Sequence, residues 1–195
     1  MRGDLAEGES LLSETLAMQR HLGNPRFIAN ALVNLGEIRE ARGDRPQAQS
    51  YYEEAVTLYH QIDERRDEAL AQVRIAKLAH LQHDTPRAIL MLEASINVLF
   101  DAGDQFGAME TLEELAQIAA HNNDPRVAVE LLAAAETMRR ELGTPRQAEG
   151  QREIELLLGR LRRGIGRAAY DEAWARGSAH AVSDTLAIVN TLTSP

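Results

Sequence analysis

Asp4, Asp44, Asp84 and Asp124 stand forty positions apart, and their surroundings recur with them. Four positions after each aspartate comes a small residue: Gly8, Ala48, Ala88, Ala128. Four further on comes a large one, Leu12, Tyr52, Leu92 or Leu132, and three beyond that a second small one, Thr15, Ala55, Ser95 or Ala135. A fixed period of this size marks a stacked repeat array, in which each unit contacts only its neighbours. The composition agrees. The chain is 44% apolar but only 4% aromatic, so its core must be built from Leu, Ile, Val and Ala, which favours helices over a β-sandwich.

Each period reads as two helices. The aspartates cap the second of the pair, since a side-chain carboxylate at that position accepts from the free N–H groups of the first turn. Asp4 with Glu7 and Asp44 with Gln47 have capping-box spacing. Pro125 falls at the first helical position, and Pro46 and Pro86 one later. Gly3, Gly43, His83 and Asn123 precede the caps and suit a left-handed turn. The first helix carries Leu35-Gly36, Ile75-Ala76 or Leu115-Ala116, with Ile38, Leu78 or Ile118 on the same face. The spacing predicts helices over 5–21, 26–42, 45–61, 66–82, 85–101, 106–122, 125–141, 146–163, 167–176 and 179–192, about ten in all. Small residues at Gly36, Ala48 and Ala128 would let helix axes approach to about 8–10 Å.

Several functional classes are excluded or disfavoured by the same residues. A net charge of −9 and a pI near 5.2 argue against direct nucleic-acid binding. The absence of cysteine removes disulfides, thiolate metal sites and cysteine nucleophiles. No apolar run reaches membrane-spanning length, and MRGDLAEGES has no secretory apolar region. A cytoplasmic protein without membrane association is the expectation. No phosphate loop or nucleophile elbow is present, and Gly164-Ile165-Gly166 reads as a turn. Glu113-Glu114 reads as part of a solvated face. His80 and His83 are three apart, but His83 takes the turn position and no third ligand is near in sequence. No enzyme activity, cofactor or metal is expected.

The joint pattern of Leu32, Leu35-Gly36, Ala48, Tyr52 and Ala55, repeated as Ile75-Ala76, Ala88, Leu92 and Ser95 and as Leu112, Leu115-Ala116, Ala128, Leu132 and Ala135, resembles the tetratricopeptide repeat. The resemblance covers roughly 3–176. The usual period is about 34 residues, so these helices are longer. Gln72 replaces a large residue, Arg39, Ala79 and Ala119 stand where an aromatic is common, and His60, Phe100 and Arg140 replace the terminal proline. The resemblance implies an all-α, right-handed superhelical solenoid of antiparallel helix pairs. It implies one domain over 1–195: a half repeat at 3–24, full repeats at 25–64, 65–104 and 105–144, a degenerate repeat at 145–177 and a terminal helix at 178–195. The longer repeats, the Leu-Gly loops and the segment Ala168–Gly177 resemble the C-terminal arrays of bacterial LuxR-type and ATPase-linked regulators. The first unit has only its second helix, which suggests a fragment of a longer protein or a short free-standing one.

In this family the first helices line a concave face that holds protein or peptide ligands. Carried over by register, the binding positions are Asn30, Val33, Asn34 and Glu37; Leu70, Val73, Arg74 and Lys77; and Glu110, Glu113, Glu114 and Gln117. Asn34 and Arg74 match two positions of the family's carboxylate clamp, but Leu70 replaces its lysine. Asparagine amides there could pair with a peptide backbone. The ordinary alternative is a solvated concave face. Arg160, Arg162, Arg163 and Arg167 form the one basic cluster; they suit a helix C-terminus or a patch that docks an acidic neighbouring domain. The expectation is a non-catalytic interaction or sensing module of a bacterial signal-transduction or transcription regulator, or else a free-standing adaptor for an extended peptide. Exposure of Leu11, Leu12 and Leu16 on the first helix would allow a homodimer.

Overall fold

The computed structural model describes residues 2–179. Among them are nine helices and no strand: α1 (Arg2–Leu22), α2 (Pro25–Ala41), α3 (Arg45–Gln61), α4 (Arg65–Leu81), α5 (Thr85–Asp101), α6 (Gln105–His121), α7 (Pro125–Leu142), α8 (Ala148–Ile165) and α9 (Arg167–Ala179). The all-α expectation holds. The expected terminal helix at 179–192 lies outside the described residues, apart from its first position.

The underlying metre is twenty residues, half the interval visible in the aspartates. Helices α2 to α6 are each 17 residues long. Between them, Gly23, Gly43, Asp63, His83, Gly103, Asn123 and Gly143 all have φ between 55° and 81°. One closure explains the series. Gly43 N–H donates to Glu40 O and Asp44 N–H to Arg39 O, both at 2.9 Å. These are the paired bonds of a Schellman motif, which satisfies the last carbonyls of a helix. The same closure recurs with Asp63 and Glu64, and with Gly143 and Thr144.

The residue that closes one helix also opens the next. Asp44 Oδ1 accepts from Gln47 N–H, Asp104 Oδ1 from Gly107 N–H and Asp124 Oδ1 from Val127 N–H. Three expected details change. The Asp44–Gln47 box is not reciprocal, because the Asp44 N–H it needs is already given to Arg39. Asp84 occupies its cap position without a side-chain cap bond. Asp4 is no cap: α1 begins at Arg2 and runs through it.

The helices form two compact units, α1–α4 and α5–α9. In the first, sequential neighbours pack together around Leu16, Leu32, Leu35, Ala55 and Tyr59. Leu16 is therefore core, and Leu12 packs against it; of the three α1 leucines expected on an open face, Leu11 alone is exposed. Ile28, Val33, Tyr51 and Val56 flank this core.

In the second unit, α7 is the central helix, packed between α6 and α9. Its buried residues run almost all round: Ala128, Val129, Leu131, Leu132, Ala133, Ala134 and Ala135. Gly177 of α9 lies against the α7 backbone, where a Cβ would come 2.8 Å from the Glu130 carbonyl carbon and 2.9 Å from Ala133 Cβ. By contrast α8 packs lightly on α7 and α9, and among its described residues Leu161 alone is below one-tenth exposure. It starts at Ala148, two residues later than expected, because Arg146 is drawn back toward the preceding helices and Gln147 stays extended.

Candidate interaction surfaces

In the first unit the expected binding positions lie on α2 and α4. Asn30 and Asn34, one turn apart, are both exposed. Asn30 is not idle: its Oδ1 accepts from the Tyr59 hydroxyl at 2.6 Å. Glu37 and Arg74 tie α2 to α4 through a 2.7 Å ion pair with both side chains about two-fifths exposed. Lys77 is half-buried and already engaged. Val33, Leu70 and Val73 are half-buried or buried and supply packing.

Beneath this face lies Tyr52, fully buried, with its hydroxyl donating to Glu40 Oε2 at 3.0 Å. Burial pushes its phenol well above the ordinary value, Glu40 adds to the shift, and the Arg74 charge opposes it. Arg74 thus sits within electrostatic reach of both Glu37 and the buried ring. Tyr59 is pushed up to about 12, first by burial and then by the Asp67 carboxylate.

In the second unit the positions on α6 divide. Glu113 is turned into a buried ion cluster. Its Oε1 accepts from Arg139 Nη2 at 2.8 Å and Arg146 Nη2 at 2.6 Å, and Arg146 also pairs with Glu136. Glu113, Arg139 and Arg146 side chains are 14%, 10% and 6% exposed, so this carboxylate faces arginines rather than a ligand. Glu114 is half-buried and, like Glu110, already engaged. Gln117 is exposed and forms one wall of a groove of about 1040 Å³ between the end of α6, the start of α7 and the length of α8.

The architecture of three-residue turns, equal helices and small residues at close contacts has a counterpart among known proteins: a tetratricopeptide repeat family model matches residues 1–59 and 27–99. The chain belongs to the tetratricopeptide repeat family. Repeats of this family point to a protein–protein interaction module. No curated protein matches the chain.

Within the tetratricopeptide frame, the forty-residue register extends one step further than the positions first chosen. Glu153, Ile154 and Leu157 follow Glu113, Glu114 and Gln117 by forty, and all three line the groove beside Gln117. That extension was the signal for the α8 wall. No comparable sequence signal marks Arg139 and Arg146, because their meeting with Glu113 depends on how α7 and the following turn fold back. Among the described residues no cluster of potential metal ligands occurs, and no helix is long and apolar enough to cross a membrane.

Proposed function

We propose that this chain is a non-catalytic protein-interaction module of a cytoplasmic bacterial signalling or transcription-regulating protein. It recognises a peptide or protein segment through the exposed faces of its first helices, without a cofactor. The observation that supports this reading is the polar strip on α2 and α4. Exposed amides at Asn30 and Asn34 lie on the same helix as Glu37, whose partner is Arg74. Such a strip offers donors and acceptors to a main chain while keeping its own charges balanced. The remaining positions, Lys77, Glu113, Glu114 and Gln117, belong to this proposal as supporting groups, with Glu113 acting through the shape of α6. The regulator context is supported by the resemblance of the segment Ala168–Gly177 to arrays of that kind.

The test is a peptide array probed with the purified chain, followed by titration of the binders against wild type and Asn34→Ala/Arg74→Ala. A loss of affinity in the double variant supports this surface. Equal affinities remove it.

One observation favours a self-association role in addition. Leu11, Met18 and Leu22 form a single stripe on α1 and are 58%, 63% and 66% exposed. A stripe of this kind is a candidate homodimer contact. Light scattering at two concentrations tests it, and a monomer at both ends the idea.

A further inference from the structure

Arginines that bridge helices in this protein are matched with glutamates. Arg20 pairs with Glu54, Arg39 with Glu9, Arg74 with Glu37, Arg139 with Glu113, Arg146 with Glu136 and Arg176 with Glu130. The arginines of α8 depart from this rule. Arg162 lies over the Tyr170 ring of α9, 5.6 Å from its centroid. Arg160 and Arg163 have no ion pair or hydrogen bond among the described residues, and both line the α8 groove.

The α8 wall beside them carries an apolar row among polar groups. Ile154, Leu157 and Leu161 follow one another at helical spacing along the groove wall, and Leu156 at its edge is 63% exposed. The volume, about 1040 Å³, is at the upper end of what small-molecule sites use. It suits two or three turns of a helical peptide better than a metabolite. Glu153 lies two turns from Arg160 along α8, so the groove is cationic at one end only.

We propose that this groove docks an acidic amphipathic helix. Its apolar face lies on Ile154 and Leu157, with Leu156 at the edge, and two carboxylates one turn apart meet Arg160 and Arg163. Charge complementarity selects the occupant. In a chain of net charge −9, two guanidinium groups without a counter-charge among the described residues stand beside the apolar side chains of Ile154 and Leu157. An acidic helix supplies counter-charges for Arg160 and Arg163 and apolar cover for Ile154 and Leu157, and guanidinium–carboxylate pairing gives the register. A nucleic acid would satisfy the charges and leave Ile154, Leu156 and Leu157 without an apolar partner. The inference rests on the interaction-module reading above and assigns the chemistry of one surface.

The test uses short fluorescein-labelled peptides of leucine in amphipathic register with glutamate, glutamine or lysine on the polar face, followed by anisotropy against the full chain. The glutamate peptide is expected to bind, with the glutamine and lysine versions at least about tenfold weaker, or about 1.4 kcal/mol. Arg160→Glu/Arg163→Glu should lose the glutamate peptide, and Arg160→Gln/Arg163→Gln should weaken it, with thermal melts unchanged because both residues are exposed. Asn34→Ala/Arg74→Ala should bind it as wild type does. Equal binding of all three peptides, or no change in the arginine variants, overturns the proposal and leaves the general reading in place. Array binders that bind only through Asn34 and Arg74 do the same. A concentration-dependent dimer that Arg160→Glu/Arg163→Glu dissociates also overturns it, because the occupant is then a second copy.

Discussion

Gly36 of α2 lies directly beneath the ring of Tyr52 on α3: a Cβ at position 36 would come 2.8 Å from Cδ1 and 2.9 Å from Cζ of that ring. Gly36→Ala gains about 1 kcal/mol in helix propensity. It must then displace a ring that is fully buried and held by Glu40, and overpacking of this kind costs about 1–3 kcal/mol. The expected net result is a loss of up to about 2 kcal/mol in urea denaturation. Pairing it with Tyr52→Leu should recover part of that loss. Additive effects in the double variant would show that the two positions do not press on each other.

Gly177 makes a harder contact, because the neighbouring atoms belong to the backbone of α7 at Glu130. A main chain inside a helix cannot yield as a ring can. Gly177→Ala is expected to lift α9 from α7 while leaving the first unit intact. Hydrogen exchange should show faster exchange in 167–179 with little change in α2 and α3. Uniform protection throughout would contradict this.

Glu113 is the shared carboxylate of a buried cluster, so its removal leaves Arg139 and Arg146 without their common partner. Breaking a buried pair costs about 3–5 kcal/mol. Glu136 still pairs with Arg146, which puts Glu113→Ala at the lower end, about 3 kcal/mol. Gln117→Ala, exposed on the same helix, should be almost neutral. A thermal melt of the two variants separates the structural residue from the surface one.

Tyr59 gives the protein a defined alkaline weakness. Its folded value is raised from 10.0 to about 12, so the unfolded chain releases this proton first. The associated stability is whole below pH 10 and is lost as pH rises toward about 12. Tyr52 acts in the same direction. Denaturation midpoints should therefore fall across that window. Tyr59→Phe should flatten the fall while costing about 1 kcal/mol at neutral pH for the lost bond to Asn30.

Most helix boundaries were legible in the sequence because the turn chemistry is local. A residue suited to the left-handed region followed by a capping side chain needs no tertiary knowledge, and His83 and Asn123 take the φ values their positions predict. The twenty-residue metre was harder to see. Three of its seven turns carry Asn24, Glu64 or Thr144 in place of the repeated aspartate, and Glu64 uses its carboxylate on Arg26 rather than as a cap. The start of α8 was displaced by Arg146, whose partner Glu113 is 33 residues away. The candidate strip on α2 was visible as exposed asparagines, but the union of Asn30 with Tyr59 was not. A phenol on α3 finds an amide on α2 only after the two helices have packed.

The dual use of each turn residue has a consequence for how such a chain can be edited. Since the helix-plus-turn modules of α2 to α6 have the same length, excising residues 104–123 would leave the neighbouring closures and caps intact, yet put a second helix of a pair directly after another. Local grammar would survive while every large side chain faced the wrong neighbour. Excising 104–143 would remove a first and a second helix together and keep the faces in phase. Twenty residues is thus the unit of syntax in this chain, and forty the smallest unit that can be copied or deleted with its meaning preserved.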